Sequence, residues 1–182
     1  AWTPAEAPSR ILDIGAGTGL LSLMMAQRFP SAQIWAIECN DEAAKECQAN
    51  VALSPWPHIV VVTADIRQWE TPEKYDLIIS NPPFFSEKIL SPNRVRALSR
   101  SNEYLPFSDL LHCVARLLSP MGLFSVVIPY KEETYFVEIA HHIGLYPTRI
   151  LHVQGTPESA TKRSLLVFSF QKTTTPLIET LV

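Results

Sequence analysis

Cysteine is scarce in this sequence. Only Cys39, Cys47 and Cys113 occur among 182 residues, an odd number with no C-x-x-C pair. That argues against a disulfide framework or a zinc knuckle, predicts no metal site, and points to a reducing cytoplasm. Long apolar runs are missing too: none reaches the roughly 18 residues needed to cross a bilayer, so no membrane partner is expected. The start lacks a basic stretch followed by an apolar one, the pattern of a secretory signal. Positive charge is also in deficit, with 15 Lys and Arg against 18 Asp and Glu and a net charge of −3. Any contact with nucleic acid must therefore come from a local patch rather than from the whole surface.

What is present is enough apolar material, 47% of residues against 18% charged, for one well-buried core. The length fits one domain spanning 1–182. Beginning at Ala1 and ending in an apolar run at Val182, the chain reads as trimmed at both ends. Short apolar runs alternate with amphipathic stretches. Arg10–Ile14, Gln33–Ile37, His58–Thr63 and Tyr75–Ser80 read as buried strands, and Thr18–Phe29 and a segment opened by an N-cap at Asp41 as helices. Further on, a helix from Phe107 or Ser108 is stopped by Pro120 and Gly122. Strand Leu123–Ile128, helix Glu132–Ile143 closed by Gly144, and strands Thr148–Val153 and Ser164–Phe170 follow. Gly155–Arg163 is too short for a crossover helix, so the last two strands should form an antiparallel hairpin. The expected fold is α/β: a doubly wound, Rossmann-like sheet of seven strands, mostly parallel, with the last antiparallel.

Three features fall at the ends of three successive strands. The loop Asp13-Ile14-Gly15-Ala16-Gly17-Thr18-Gly19 joins the first strand to the first helix, where glycines let the backbone approach a ligand. Leu20 stands where a dinucleotide fingerprint needs its third glycine, which disfavours a nicotinamide dehydrogenase. Asp13 suits contact with an amino-acid moiety rather than a pyrophosphate. Glu38 ends the second strand 23 residues after Gly15, the place for a carboxylate that grips two ribose hydroxyls, with Cys39 beside it. Asp65, followed by Ile66, ends the third, where it could accept from an exocyclic amine. Together these resemble the cofactor motifs of class I S-adenosylmethionine-dependent methyltransferases. The resemblance implies S-adenosyl-L-methionine as cofactor and S-adenosyl-L-homocysteine as product.

Asn81-Pro82-Pro83-Phe84 follows the fourth strand and points at the same crevice. Two prolines stiffen the turn. The Asn81 amide oxygen and the Pro82 carbonyl can accept from an amino group, and Phe84 offers a stacking face. This is the N-P-P-(Tyr/Phe) signature of methyltransferases acting on amino nitrogens of planar systems. An exocyclic amine is a poor nucleophile because its lone pair is delocalised; two acceptors on its hydrogens favour a more sp³-like nitrogen. Catalysis is then mostly orientation and electrostatics. Asn81 also borders the cofactor side of the pocket.

The stretch from Lys88 to Arg100 holds four basic residues, Lys88, Arg94, Arg96 and Arg100, and no acid, as suits an RNA phosphate backbone. These features, with Phe85 and Leu105-Pro106-Phe107-x-Asp109-Leu110-Leu111, resemble the bacterial tRNA(Val) (adenine(37)-N6)-methyltransferase family over nearly the whole chain. That resemblance implies a tRNA substrate, bound through Phe85 and the arginine loop, and an adenine beside the anticodon as acceptor. The alternatives are a guanine-N2 rRNA methyltransferase, a glutamine methyltransferase of release factors, and a cofactor-binding scaffold subunit. Phe85 and Phe84 stand where the first two often carry His and Tyr, respectively.

Overall fold

Strands that carry no polar alternation belong at the centre of a sheet covered on both faces, and two stretches here meet that description. Ile11, Leu12 and Ile14 in one, and Leu77, Ile78 and Ile79 in the other, are almost wholly buried. The computed structural model describes residues 3–82, 105–172 and 175–182. Its elements are β1 (Arg10–Ile14), α1 (Leu20–Arg28), β2 (Gln33–Glu38), α2 (Asp41–Ala52), β3 (Val60–Thr63) and β4 (Tyr75–Ser80). After these come α3 (Phe107–Leu117), β5 (Leu118–Pro129), a 3-10 turn (Tyr130–Glu132), α4 (Glu133–Ile143), β6 (Tyr146–Val153), β7 (Arg163–Ser169) and β8 (Leu177–Leu181).

The strands form one sheet in the order β3-β2-β1-β4-β5-β7-β6-β8. Neighbours from β3 to β5 are parallel, and β7 runs antiparallel to both β5 and β6, as the hairpin reading required. To the seven expected strands the structure adds an eighth: β8 lies parallel to β6 at the outer edge. The chain winds outward from β1 through β2 to β3, then returns to β4 on the other side of β1. That reversal opens a crevice above the carboxyl ends of β1 and β4, where α/β sheets bind ligands.

Alternate residues of each strand feed two cores. On one face Ile11, Ile34 and Leu77 pack with Met25 of α1 and with Cys47 and Val51 of α2. On the other, Leu12, Ile78 and Phe124 pack with Leu110 and Val114 of α3 and Phe136 of α4. Each such side chain contributes about 1.5–3 kcal/mol by leaving water. Phe107 and Phe136 meet edge to face at 4.9 Å and join α3 to α4.

Several boundaries depart from the sequence reading: α1 runs Leu20–Arg28 rather than Thr18–Phe29, β6 starts at Tyr146 rather than Thr148, and three others have a visible local cause or matter to the packing. The N-cap of α2 is Asn40, not Asp41: its Oδ1 accepts from the backbone N–H of Glu42 at 3.0 Å and of Ala43 at 2.9 Å. Asp41 instead opens the first turn, where its charge suits the helix dipole. Pro120 and Gly122 do not end α3; they lie inside β5, which begins at Leu118. Between the pairs Tyr75↔Leu118 and Leu77↔Leu123 the register jumps, so this extra length bulges out. A Cβ on Gly122 would stand 2.8 Å from the Tyr75 carbonyl oxygen, so only glycine fits that approach. Finally, β3 starts at Val60 rather than His58.

Candidate active site

The loop after β1 folds back over β2. The N–H groups of Gly15 and Ala16 both donate to the Ile37 carbonyl, at 2.9 and 3.1 Å. Gly17 then donates to Glu38 Oε2 at 2.8 Å, with φ at 54°, a conformation side chains rarely adopt. A Cβ at Gly17 would meet nothing within 4 Å, so the space above it is open to a ligand. Gly19 has a different reason to be glycine. It caps α1 at φ 86°, and a Cβ there would sit 2.6 Å from the Cys47 sulfur of α2.

Asp13 lies wholly buried beneath this loop. Its Oδ2 accepts from the Ser22 hydroxyl at 2.7 Å, while its Oδ1 has no partner. Burial pushes this carboxyl up to about 7; the Ser22 hydrogen bonds pull the other way, and the Glu38 charge adds a smaller push upward.

Glu38 is nearly buried at the end of β2 and serves as a hub. Besides the Gly17 N–H, it accepts from the Asn40 N–H at 2.9 Å and from the Cys39 thiol at 3.6 Å, both on Oε1. A carboxylate has about four acceptor positions, so Oε2 keeps capacity for a hydroxyl. Burial first, and the Glu38 charge second, push the Cys39 thiol up to about 11.

Beyond β3, Asp65 starts a tight turn. The Arg67 N–H donates to Oδ1 at 2.9 Å, and the guanidinium reaches both oxygens, with its closest contact 2.6 Å to Oδ2. These bonds hold the Asp65 carboxyl below the usual carboxylate range, burial opposing them. A second carboxylate, Asp109 of α3, stands 3.9 Å from the same guanidinium.

At the end of β4 the Ser80 hydroxyl donates to the Ile14 carbonyl at 2.8 Å, fastening β4 to β1 at the crevice floor. Asn81 is exposed and Pro82 buried just above. A cavity of about 400 Å³ spans this edge, within the range of small-molecule sites. The anticipated residues Gly15, Gly17, Glu38, Cys39, Asp65, Ile66, Asn81 and Pro82 all line it. Asp13, Ala16, Thr18 and Gly19 do not; they shape the loop from behind. Pro83, Phe84, Phe85, Lys88, Arg94, Arg96 and Arg100 lie outside the described residues.

The cavity also takes in residues the sequence reading passed over, among them Arg67, Asn40 and Ala43. The signal for Arg67 was present in Asp65-x-Arg67, the spacing at which an aspartate side chain caps the backbone N–H two residues on. Among the described residues no group of three or more His, Cys, Asp or Glu could hold a metal ion, and no helix is long and apolar enough to cross a membrane.

Solved structures share the fold. A methyltransferase of Pyrococcus furiosus superposes with a TM-score of 0.65 at 18% identity, covering 88% of this chain and 74% of its own. A predicted O-methyltransferase of Agrobacterium tumefaciens gives 0.69 at 20%, covering 97% and 84%. Among curated proteins, the tRNA1(Val) (adenine(37)-N6)-methyltransferase of Flavobacterium psychrophilum is 47% identical over 94% of this chain and 75% of its own length. Its namesake from Bacteroides fragilis is 45% identical over 94% and 74%. The model of the family described as methyltransferase small domain matches residues 3–128. With β1 to β4 and all but the last residue of β5 inside that match and the cavity at the carboxyl edge of the sheet, the chain belongs to the methyltransferase small domain family, among the relatives named tRNA1(Val) (adenine(37)-N6)-methyltransferase.

Proposed function

We propose that this chain methylates N6 of an adenine in tRNA, position 37 beside the anticodon of valine tRNA, with S-adenosyl-L-methionine as donor and S-adenosyl-L-homocysteine as product. The observation that carries the reading is the convergence of Gly17, Glu38, Asp65 and Asn81-Pro82 on one cavity at the switch point of the sheet. The names of the most similar relatives supply the acceptor. The reading treats residues 1–182 as one catalytic domain working on tRNA in the cytoplasm.

The residues fit the donor. Gly17 leaves open space where a side chain would stand. Glu38 keeps acceptor capacity for ribose hydroxyls, Asp65 offers a carboxylate at the base end, and Ile14, Ile37 and Ile66 give apolar walls. When bound, S-adenosyl-L-methionine supplies an electrophilic methyl group on a sulfonium. The chain's own part is placement. Asn81 Oδ1 and the Pro82 carbonyl accept from the hydrogens of the acceptor amine, which turns its lone pair out of conjugation and fixes its direction. Ser80, bonded to Ile14, keeps those acceptors in register with the glycine loop. Well-oriented reactants account for roughly 7–11 kcal/mol of barrier lowering. A paired base must leave its stack to enter such a cavity, and an adenine in an open loop is the easiest to extract.

The test is direct. Unmodified tRNA and rRNA are incubated with the chain and donor, digested to nucleosides and analysed by mass spectrometry. N6-methyladenosine from tRNA is expected. N2-methylguanosine from rRNA would move the assignment to guanine, and methylation of a protein glutamine without RNA product would overturn the nucleic-acid reading.

A further inference from the structure

On the side of the crevice away from the donor, the sheet edge is uneven. β4 stops at Ser80, which pairs with Val126, whereas β5 runs on through Val127, Ile128 and Pro129, paired to Leu165, Ser164 and Arg163 of β7. Three residues of strand rise about 10 Å, so β5 and β7 form a ledge above the level of Asn81, one to two strands away from it.

The tip of this ledge combines an aromatic ring with cations. Tyr130 is 45% exposed, unusual for a large ring placed directly after a buried strand end. Its backbone N–H donates to the Lys162 carbonyl at 3.2 Å, which sets Lys162 beside it. Lys131, Lys162 and Arg163 are all exposed, and neither lysine forms an ion pair with a described carboxylate. Of the described acids nearby, none is paired with Lys131 or Lys162. Glu132 is buried. Glu133 is occupied, its Oε2 lying 2.9 Å from His152 Nε2 and accepting from the Ser164 hydroxyl at 2.5 Å. That leaves Glu158, in the exposed turn between β6 and β7.

The ring is also held in place. The His152 imidazole stands against Tyr130 at 5.0 Å with the planes at 85°, and His152 is itself fixed by Glu133. An aromatic ring pinned from one side, flanked by two exposed lysines and standing one to two strands from Asn81 at the same edge of the sheet, matches how single-stranded nucleic acid is gripped.

We infer that the ledge of Tyr130, Lys131, Lys162 and Arg163 receives an unpaired nucleotide flanking the methylated one, its base stacked on Tyr130 and its phosphates on the lysines. This rests on the RNA reading above, and it assigns a role to residues outside the Lys88–Arg100 stretch. His152 and Glu133 act as positioning residues for the ring.

The experiment measures methyl transfer to unmodified tRNA by the intact chain and by three variants: Tyr130→Ala, Tyr130→Phe, and Lys131→Ala combined with Lys162→Ala. Stacking of one base is worth roughly five- to a hundredfold in affinity, so Tyr130→Ala raises KM for tRNA within that range. Tyr130→Phe keeps the ring face and stays within about twofold of the parent. The lysine pair flattens the dependence of log affinity on log salt by about 1.4, or 0.7 per phosphate on a single strand. In every variant the affinity for S-adenosyl-L-homocysteine stays at the parent value, which separates a contact from a folding defect. Parent-like KM and salt slope in the Tyr130→Ala and lysine variants overturn the ledge, as does a matching loss of product binding. A parent chain that transfers no methyl to tRNA overturns the functional reading instead.

Discussion

Arg67 turns back on Asp65, two residues before it, so that one guanidinium meets both oxygens of the carboxylate the donor's base would use. The two demands compete, because Asp65 already accepts the Arg67 backbone N–H and the side-chain fork. Removing the side chain in Arg67→Ala frees the carboxylate. Calorimetric titration with S-adenosyl-L-homocysteine is expected to show affinity several-fold tighter than the parent. A several-fold loss would mean that the guanidinium itself touches the ligand, and would reverse this account.

Glu38 and Asn81 line the same cavity, yet their variants should separate binding from chemistry. Glu38→Ala removes a charged acceptor and the anchor of the Gly17 N–H. Hydrogen bonds to charged groups are worth about 1.5–3 kcal/mol, so product affinity falls tenfold or more. Asn81→Ala leaves that affinity within about threefold while a radiolabelled assay on tRNA shows transfer abolished. Full transfer by the alanine variant would remove Asn81 from the role given to it.

Asp13 makes stability depend on pH in a direction opposite to a salt-bridged acid. Its carboxyl titrates near 3.8 when unfolded and near 7 when buried in the fold, so the native state holds its proton longer. The stability it allows is complete below about pH 4, declines as pH rises toward 7, and is level beyond that. At about 1.4 kcal/mol per unit the decline is on the order of 4 kcal/mol. Urea unfolding at intervals from pH 4 to 8 should show this slope in the parent and a flatter one in Asp13→Asn. Parallel curves for the two would dissociate the slope from Asp13.

Gly19 joins two costs that a double-mutant cycle can separate. In Gly19→Ala the methyl meets the Cys47 sulfur and the backbone keeps a φ of 86°. Left-handed backbone costs about 1–2 kcal/mol for a residue with a Cβ, and the collision adds to it. Cys47→Ala in the same chain relieves the collision only. The pair should therefore be more stable than the sum of the single losses predicts, while staying below the parent. Strict additivity in the unfolding free energies would show that α1 and α2 part easily.

Much of this was legible before any coordinates, because the informative signals are local. β1 and β4 announce themselves by unbroken apolar runs, and Glu38 and Asp65 by standing where such runs stop. β8 gave no such sign: Leu177, Ile178 and Leu181 are exposed on an edge strand, so no burial pattern marks it. The start of β5 was hidden because Pro120 and Gly122 carry a chain-breaking signature that a bulge tolerates. Asn40 and Asp41 are both residue types that cap helices, so composition alone does not separate the two neighbours. The ledge at Tyr130 depends on β5 outrunning β4, a difference of strand lengths that neither segment shows alone.

The thiol of Cys39 lies at the rim of a cavity proposed to hold an alkylating molecule. A thiolate there would be a stronger nucleophile than an aromatic amine. Burial and the Glu38 carboxylate, which accepts the thiol hydrogen, keep Cys39 protonated up to about pH 11. At neutral pH the reactive form is then on the order of one molecule in 10⁴. Burial, with the carboxylate that would grip the donor's sugar in second place, thus keeps the thiol beside it in its unreactive form.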